Sequence, residues 1–358
     1  MMQFLNAREL DQIHFEAALR LQQRLDIARD PGIPSTPAGE LRATFDDNAS
    51  ENAHHERIVA FDDLEAVAIG HLELPCDPAN TTLAIVEITP VHSDASTTVL
   101  SELLKMARAD GRTSAIAWGD CTPEADAFWT GLGAELRSTE QESDLDLASV
   151  DADLMSRWID AAPDDIELVH WKRRCPDEHI DALVATANAM NDAPTDDLEI
   201  ADTTYDAATL RADIDARDAS GIDYLGILAV CADGSAAGAT EVFVNRFRPA
   251  IAWQWNTVVL PPYRGRGIGR WMKAAMWRRL RAEAPEVATL RTGNAESNAA
   301  MLAINTEMGF QPSHLMGCWQ ADVQVLNQGM SPSARKRSTA SAGRPAMTPS
   351  TGKSMSSA

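Results

Sequence analysis

Three arginines and three glycines fall within seven residues, Arg264-Gly265-Arg266-Gly267-Ile268-Gly269-Arg270. Glycines let an anion approach the backbone, and arginines supply charge-assisted donors. The run Val258-Val259-Leu260-Pro261-Pro262 before them reads as a strand stopped by prolines, and Trp271-Met272-Lys273-Ala274-Ala275-Met276-Trp277 after them opens a helix. A strand, a glycine loop and a helix N-terminus together make a phosphate cradle, because the first helical N–H groups are unpaired. The Arg-x-x-Gly-x-Gly spacing differs from the dinucleotide fingerprint and from the P-loop. On the motif alone, a basic surface turn stays open as the alternative. The flanking strand and helix favour the cradle.

That loop stands on an acidic chain. The 358 residues carry a net charge of −22, which argues against a general nucleic-acid binder, since neutralising phosphates needs a positive face. A local cationic loop on such a chain suits a small polyanion. Hydrophobic residues make up 45% and charged residues 23%, a globular composition. No apolar run approaches the roughly 20 residues that span a bilayer, and the N-terminus has no signal-peptide pattern. These features predict a cytoplasmic protein that binds neither membrane nor nucleic acid. The five cysteines are far apart with no CxxC pair, so they read as reduced thiols. His54-His55 lacks the spacing of a metal site, and no metal is expected.

The positioning elements follow from periodicity and breakers. Apolar residues at Ile13, Ala17, Leu21 and Leu25 predict a helix over 11–29, stopped at Asp30-Pro31-Gly32, and a short helix follows at 40–48. Strands are expected at 58–61, 66–74 and 82–89, a helix at 95–108, a strand at 114–118, a helix at 122–132 and a strand at 145–147. An acidic connector with one helical turn at 154–159 leads to a second unit. It has strands at 166–171, 224–231, 237–245 and 251–259, helices at 175–190 and 209–220, then the glycine loop with a helix to 283. A strand at 288–292, a helix at 298–308 and a strand pair near 314–325 close it. The order is that of an α/β, or α+β, fold with a mixed sheet, used twice. Domains are expected at 1–150 and 166–328, with a linker at 151–165. Residues 329–358 are rich in Ser, Thr, Ala and Pro and read as a disordered basic tail.

The repeat is also local. Ala127-Phe128-Trp129-Thr130-Gly131-Leu132-Gly133-Ala134 parallels Ala303-Ile304-Asn305-Thr306-Glu307-Met308-Gly309-Phe310. Thr89 to Ser96 takes the place of Leu260 to Gly267 but has lost its glycines and arginines. Only the second half is expected to hold a phosphate.

Arg264 to Gly269 resembles the acyl-CoA pyrophosphate loop of the GNAT superfamily of N-acetyltransferases. Asn294 to Phe310 resembles that family's later motif, a helix opened by Asn and closed by Gly-Phe. The match covers about 164–325, and the first half resembles a degenerate copy, so the chain looks like a tandem GNAT protein. The resemblance implies acetyl-CoA as cosubstrate and a primary amine as acceptor; the acidic character and tandem architecture favour a small-molecule amine, and the oligomeric state is left open. It places the pantetheine arm along the backbone of Thr257, Val258 and Val259, and the pyrophosphate on the amides of Arg264, Gly265, Arg266, Gly267, Ile268, Gly269 and Arg270. Asn294 and Asn298 fall near the cofactor arm. It also shows two departures. Many members carry a Glu where this chain has Ile251, and a Tyr acid where it has Asn305, which can hydrogen-bond a sulfur but cannot supply a phenol's proton. The alternative is therefore a catalytically weak or inactive acyl-CoA-binding protein.

A substitute base is expected at Glu241. A hairpin through 245–249 sets it roughly opposite Trp253, where neighbouring indoles would raise its pKa. A solvent-facing strand Glu is the competing reading. Trp253 and Trp255 share a face by alternation, either as an acceptor wall or as core. Trp271 and Trp277 read as core.

Overall fold

The computed structural model describes residues 2–47, 53–91 and 94–330. Residues 331–358 of the expected tail lie outside the described residues, as do His92 and Ser93 of the loop's counterpart. The first half runs β1 (Gln3–Asn6), α1 (Gln12–Arg29), α2 (Ala38–Asp46), β2 (Ala53–Asp62), β3 (Glu65–Pro75), β4 (Leu83–Thr89), α3 (Asp94–Ala109), β5 (Ser114–Asp120), α4 (Pro123–Gly131) and β6 (Glu135–Asp146). After α5 (Ala152–Asp160) come β7 (Ile166–Lys172), α6 (Ile180–Asn188), α7 (Ala207–Ala219), β8 (Ile222–Cys231), β9 (Ala236–Asn245) and β10 (Ile251–Val259). The chain continues with α8 (Ile268–Glu283), β11 (Thr289–Ala295), α9 (Ala299–Met308), β12 (Gln311–Asp322) and α10 (Val323–Gly329).

Local chemistry sets these elements. Asp11 caps α1 by accepting the His14 N–H at 2.9 Å, and Thr122, ahead of Pro123, caps α4 through the Ala125 N–H at 3.1 Å. In α3, Val99, Leu100, Leu103, Leu104 and Ala107 form one buried stripe, each Leu worth roughly 1.5–3 kcal/mol of burial. β3 alternates: Ala66, Ala68, Leu72 and Leu74 are buried, whereas Ile69, His71 and Glu73 are half-exposed. β8 is apolar almost throughout because α6 and α7 cover one face and α8 the other.

The expected mixed sheet is present, as a single 12-stranded sheet in the order β1-β2-β3-β4-β5-β12-β6-β11-β10-β9-β8-β7. The β4–β5 and β10–β11 pairs are parallel and the rest antiparallel. The last strands of the two halves change places. β6 pairs with β11 of the second half, β12 pairs with β5 of the first, and β6 and β12 pair with each other. Leu145, Leu147 and Val150 consequently complete the core under α5 and α8, while Trp319, Val323 and Leu326 complete the core under α3.

Several expectations are corrected. β6 spans 12 residues rather than 145–147. Its Glu140, Glu142 and Asp144 hide the strand from any hydrophobic pattern, and the charges are tolerated because Arg29 and Arg291 meet Glu142 and Asp144. The strand pair near 314–325 is one strand followed by α10, whose Val323 and Leu326 are buried. The connector forms a full nine-residue helix, α5, burying Met155 and Trp158. Helix α6 stops at Asn188, with a 3₁₀ turn at Ala189–Asp192. Among the described residues no helix is long and apolar enough to cross a membrane.

Each half also sends a connection onto the other. The α1–α2 segment reaches the β9–β10 turn, where Glu40 meets Arg248 at 2.8 Å. The α6–α7 segment reaches the first half, with Asn80 bonded to the backbone of Ala201 at 3.0 Å in both directions.

Candidate functional site

The cradle begins with a divergence of strands. β10 pairs with β11 only at Ile251, Ala252 and Trp253, after which the two separate. The Leu260 N–H donates to Ala237 of β9, so alternation turns the N–H and C=O of Val259 into the gap. A 3₁₀ turn at Pro261–Tyr263 follows, and Gly265 and Gly267 both adopt φ +78°, a left-handed conformation that favours glycine. Gly267 is the N-cap of α8 and provides no side-chain acceptor, which leaves the Ile268, Gly269 and Arg270 N–H groups of the first turn without helical partners.

These groups border a cavity of about 410 Å³. Of the residues expected from sequence, Thr257, Val258, Val259, Arg264, Gly265, Gly267, Ile268, Gly269, Arg270 and Asn298 line it. Arg266 and Asn294 do not. The opposite wall was not legible in the sequence: it is the segment Ala189, Met190, Asp192, Ala193 and Pro194 after α6. Its only sequence cue was the break at Asn191-Asp192-Ala193-Pro194. Ala300, Met301 and Ile304 of α9 close the remaining side, with Asn298 capping α9 through the Met301 N–H at 3.3 Å.

Each loop arginine meets a carboxylate. Arg264 pairs with Asp192 at 3.1 Å, Arg270 with Glu307 at 2.8 Å, and Arg266 with Asp165. The Arg266 hydrogen bond holds the Asp165 carboxyl below its ordinary value. All three pairs are at least partly exposed.

The expected Asn305 geometry is corrected. Asn305 is buried on α9, donates to Asn294 Oδ1 at 2.7 Å and does not line the cavity. Packing against β11 turns it to Asn294 rather than to the gap, and its Oδ1 has no hydrogen-bond partner. The register around Glu241 is corrected as well. Trp253 faces Phe243, and a bulge between Gln254 and Thr257 places Trp255 and Asn256 across from Glu241. Glu241 is buried beside Tyr224, whose hydroxyl donates to it. Burial raises its pKa, against the hydrogen bonds from Tyr224 and Asn256. The solvent-edge reading of Glu241 therefore fails.

Trp253 and Trp255 are 37% and 50% exposed, so they are not core. The Arg217 guanidinium lies 5.5 Å from the Trp255 ring and 4.7 Å from that of Phe243. Trp271 and Trp277 are buried as expected. Lys273, beside them on α8, is buried with its ammonium 5.4 Å from the Phe310 ring, and burial pushes its pKa down to about 7.

Below Trp253 lies a charge network that sequence reading missed. Arg291, 2% exposed, makes paired hydrogen bonds to Asp30 of the first half at 2.9 and 3.0 Å and to Asp144 of β6 at 2.7 and 2.8 Å. Arg29 similarly bridges Asp120 and Glu142, each at 2.8 Å.

Residues 187–310 match the model of the Acetyltransferase (GNAT) family. No curated protein sequence matches the chain. Among solved structures, a tandem GNAT protein from the clavulanic acid biosynthesis pathway superposes with a TM-score of 0.75 at 23% identity, covering 90% of this chain and 99% of its own. A GCN5-related N-acetyltransferase from Sphaerobacter thermophilus gives a TM-score of 0.63 at 14% identity, covering 89% and 96%. A glucosamine N-acetyltransferase region within a fungal multi-domain β-N-acetylglucosaminidase gives 0.59 at 13% identity, with 90% of this chain covering 38% of that one. At these identities the superpositions establish the fold.

Proposed function

With a GNAT-family domain at residues 187–310 inside a tandem GNAT fold, we propose that this chain is an acetyl-CoA-dependent N-acetyltransferase acting on a primary amine of a small molecule. The cavity carries the reading: a bare helix N-terminus, a left-handed glycine pair and a gap between diverging strands meet in one space of about 410 Å³. The fit to a pyrophosphate on a long amide-bearing arm is chemical. Amides of Ile268, Gly269 and Arg270 face the anion, Arg264 and Arg270 add charge, and the backbone of Thr257 and Val259 serves the arm. Bound there, acetyl-CoA supplies a thioester carbonyl as electrophile.

The chain's own groups then have two tasks. The Val259 N–H, turned into the gap, is the donor for charge developing on the carbonyl oxygen. Glu241 does not line the cavity and acts through water, accepting the proton that the amine loses as its nitrogen bonds to the carbonyl carbon and the carbon–sulfur bond breaks, the thiolate leaving with coenzyme A. The Trp253 and Trp255 faces form the acceptor wall. The acidic chain, at −22, attracts a cationic amine.

Two measurements test this. Gly269 lacks a positive φ, and a Cβ there meets Ile304 and Val259 at an ordinary 3.7 Å, so Gly269→Glu places a carboxylate at the cavity wall without backbone strain. Calorimetry is expected to show CoA affinity reduced at least tenfold, and undiminished binding would remove the cavity as the cofactor site. For the base, Glu241 works deprotonated, and its raised pKa puts the acid limb of the kcat/KM profile above the ordinary carboxylate range. Glu241→Gln should abolish that limb and lower kcat/KM by about 100-fold. An unchanged profile would exclude Glu241.

One observation favours the second reading, an acyl-CoA-binding protein with little or no turnover. Asn305 lies off the cavity, so no acid for the leaving thiolate is assigned. Thiol release from acetyl-CoA across a panel of amines separates the two.

A further inference from the structure

The guanidinium of Arg264 is bonded to opposite walls of the cavity. Its Nε donates to the Val259 carbonyl at 3.0 Å, and its Nη2 pairs with Asp192 at 3.1 Å. Val259 is the last residue of β10, and its carbonyl faces the gap. Asp192 closes the 3₁₀ turn after α6, from which the chain runs on to Asp196, bonded to Ser138 and Ser297, and then to α7. The side chain is thus a strap from the strand that borders the gap to the wall that carries the α6–α7 segment.

Two features set the strap where an anionic ligand would enter. The carbonyl it occupies is the one that alternation presents to the gap. The guanidinium it commits to Asp192 lines the cavity beside the unpaired amides of α8. A phosphate entering there offers Arg264 a stronger, more highly charged partner than a half-exposed aspartate.

We infer that the Arg264–Asp192 strap is a charge-exchange latch: it holds the cavity walls together in the free protein, and the anionic end of the cofactor displaces Asp192 from Arg264. This rests on the cofactor reading above. Exchange rather than simple attraction sets the consequence. Asp192 acts as an internal competitor for the site, while the chain beyond it stays anchored through Asp196 to Ser138 and Ser297.

The test is a double-mutant cycle on the full chain, with coenzyme A as the probe and calorimetry at low salt as the readout. Exposed ion pairs are weak, so Asp192→Asn should tighten coenzyme A by about two- to fivefold. In an Arg264→Gln background the same change should give no gain, because there is no arginine to release. A gain of equal size in both backgrounds would mean that Asp192 acts only as a distant negative charge, and would overturn the latch. No gain in the wild-type background would overturn it too, while leaving the cofactor site intact. Failure of the wild-type chain to bind coenzyme A would remove the cofactor reading and the latch with it.

Discussion

A chain starting at residue 151 is expected not to fold on its own. It lacks β6, so β11 loses a partner along its whole length and β12 loses both neighbours, β5 and β6. The same cut removes Leu145, Leu147 and Val150 from the core under α8, together with the Leu147 carbonyl that accepts the Trp277 indole N–H at 3.4 Å. Unpaired strand edges and an opened core leave aggregation as the alternative to folding. Expression of 151–330 should yield insoluble or non-cooperatively melting material. A chain starting at 134 restores β6 and should recover part of the loss. Cooperative unfolding together with undiminished coenzyme A binding by 151–330 would show that the first half is dispensable to this site.

Replacing Arg291 by Met is expected to cost about 3–5 kcal/mol, since it leaves half-buried Asp144 without its cation and Asp30 with only the longer contacts to His314 and Arg29, at 3.4 and 3.6 Å. Asp30 and Asp144 each contribute two hydrogen bonds to Arg291, and they come from different parts of the chain. Burial opposes the charge on Arg291, and Asp144 and Asp30 outweigh it. Burial would raise the Asp30 carboxyl, but Arg291 holds it below its ordinary value. A depressed carboxyl pKa stabilises above the unfolded value and loses that contribution as pH falls through the folded one. The wild-type advantage over Arg291→Met should therefore shrink in acid, and adding Asp30→Asn to Arg291→Met should restore part of the loss. Urea melts at neutral and acid pH provide the check. A cost under 1 kcal/mol at neutral pH would show that the network is incidental to stability.

What could be read from the sequence was what local chemistry decides. β10 is found where expected because Pro261-Pro262 ends it, and α8 because glycines and a helical run fix its start. The chemistry of the loop was legible for the same reason. What was not legible depends on partners distant in the chain. All but the end of β6 went unread because Glu142 and Asp144 are answered by Arg29 and Arg291, over a hundred residues away. Alternation correctly put Trp253 and Trp255 on one face, but it could not show that the bulge shifts Glu241 to Trp255 and Asn256, or that this face is left open. The Ala189 to Pro194 wall has no chemistry of its own to announce it. Asp192 acquires meaning only beside Arg264.

The reciprocal placement of β6 and β12 gives the chain the topology of a two-fold dimer whose subunits have traded their final strands, with residues 147–165 as the tether. Neither copy is complete without the other's last strand, so the half that has lost the arginine loop is still bound into the fold of the half that keeps it. Sequence change in the first copy is consequently filtered through the stability of the second. The first copy, whose counterpart loop lacks the glycines and arginines, still supplies Asp30, Glu40 and β6.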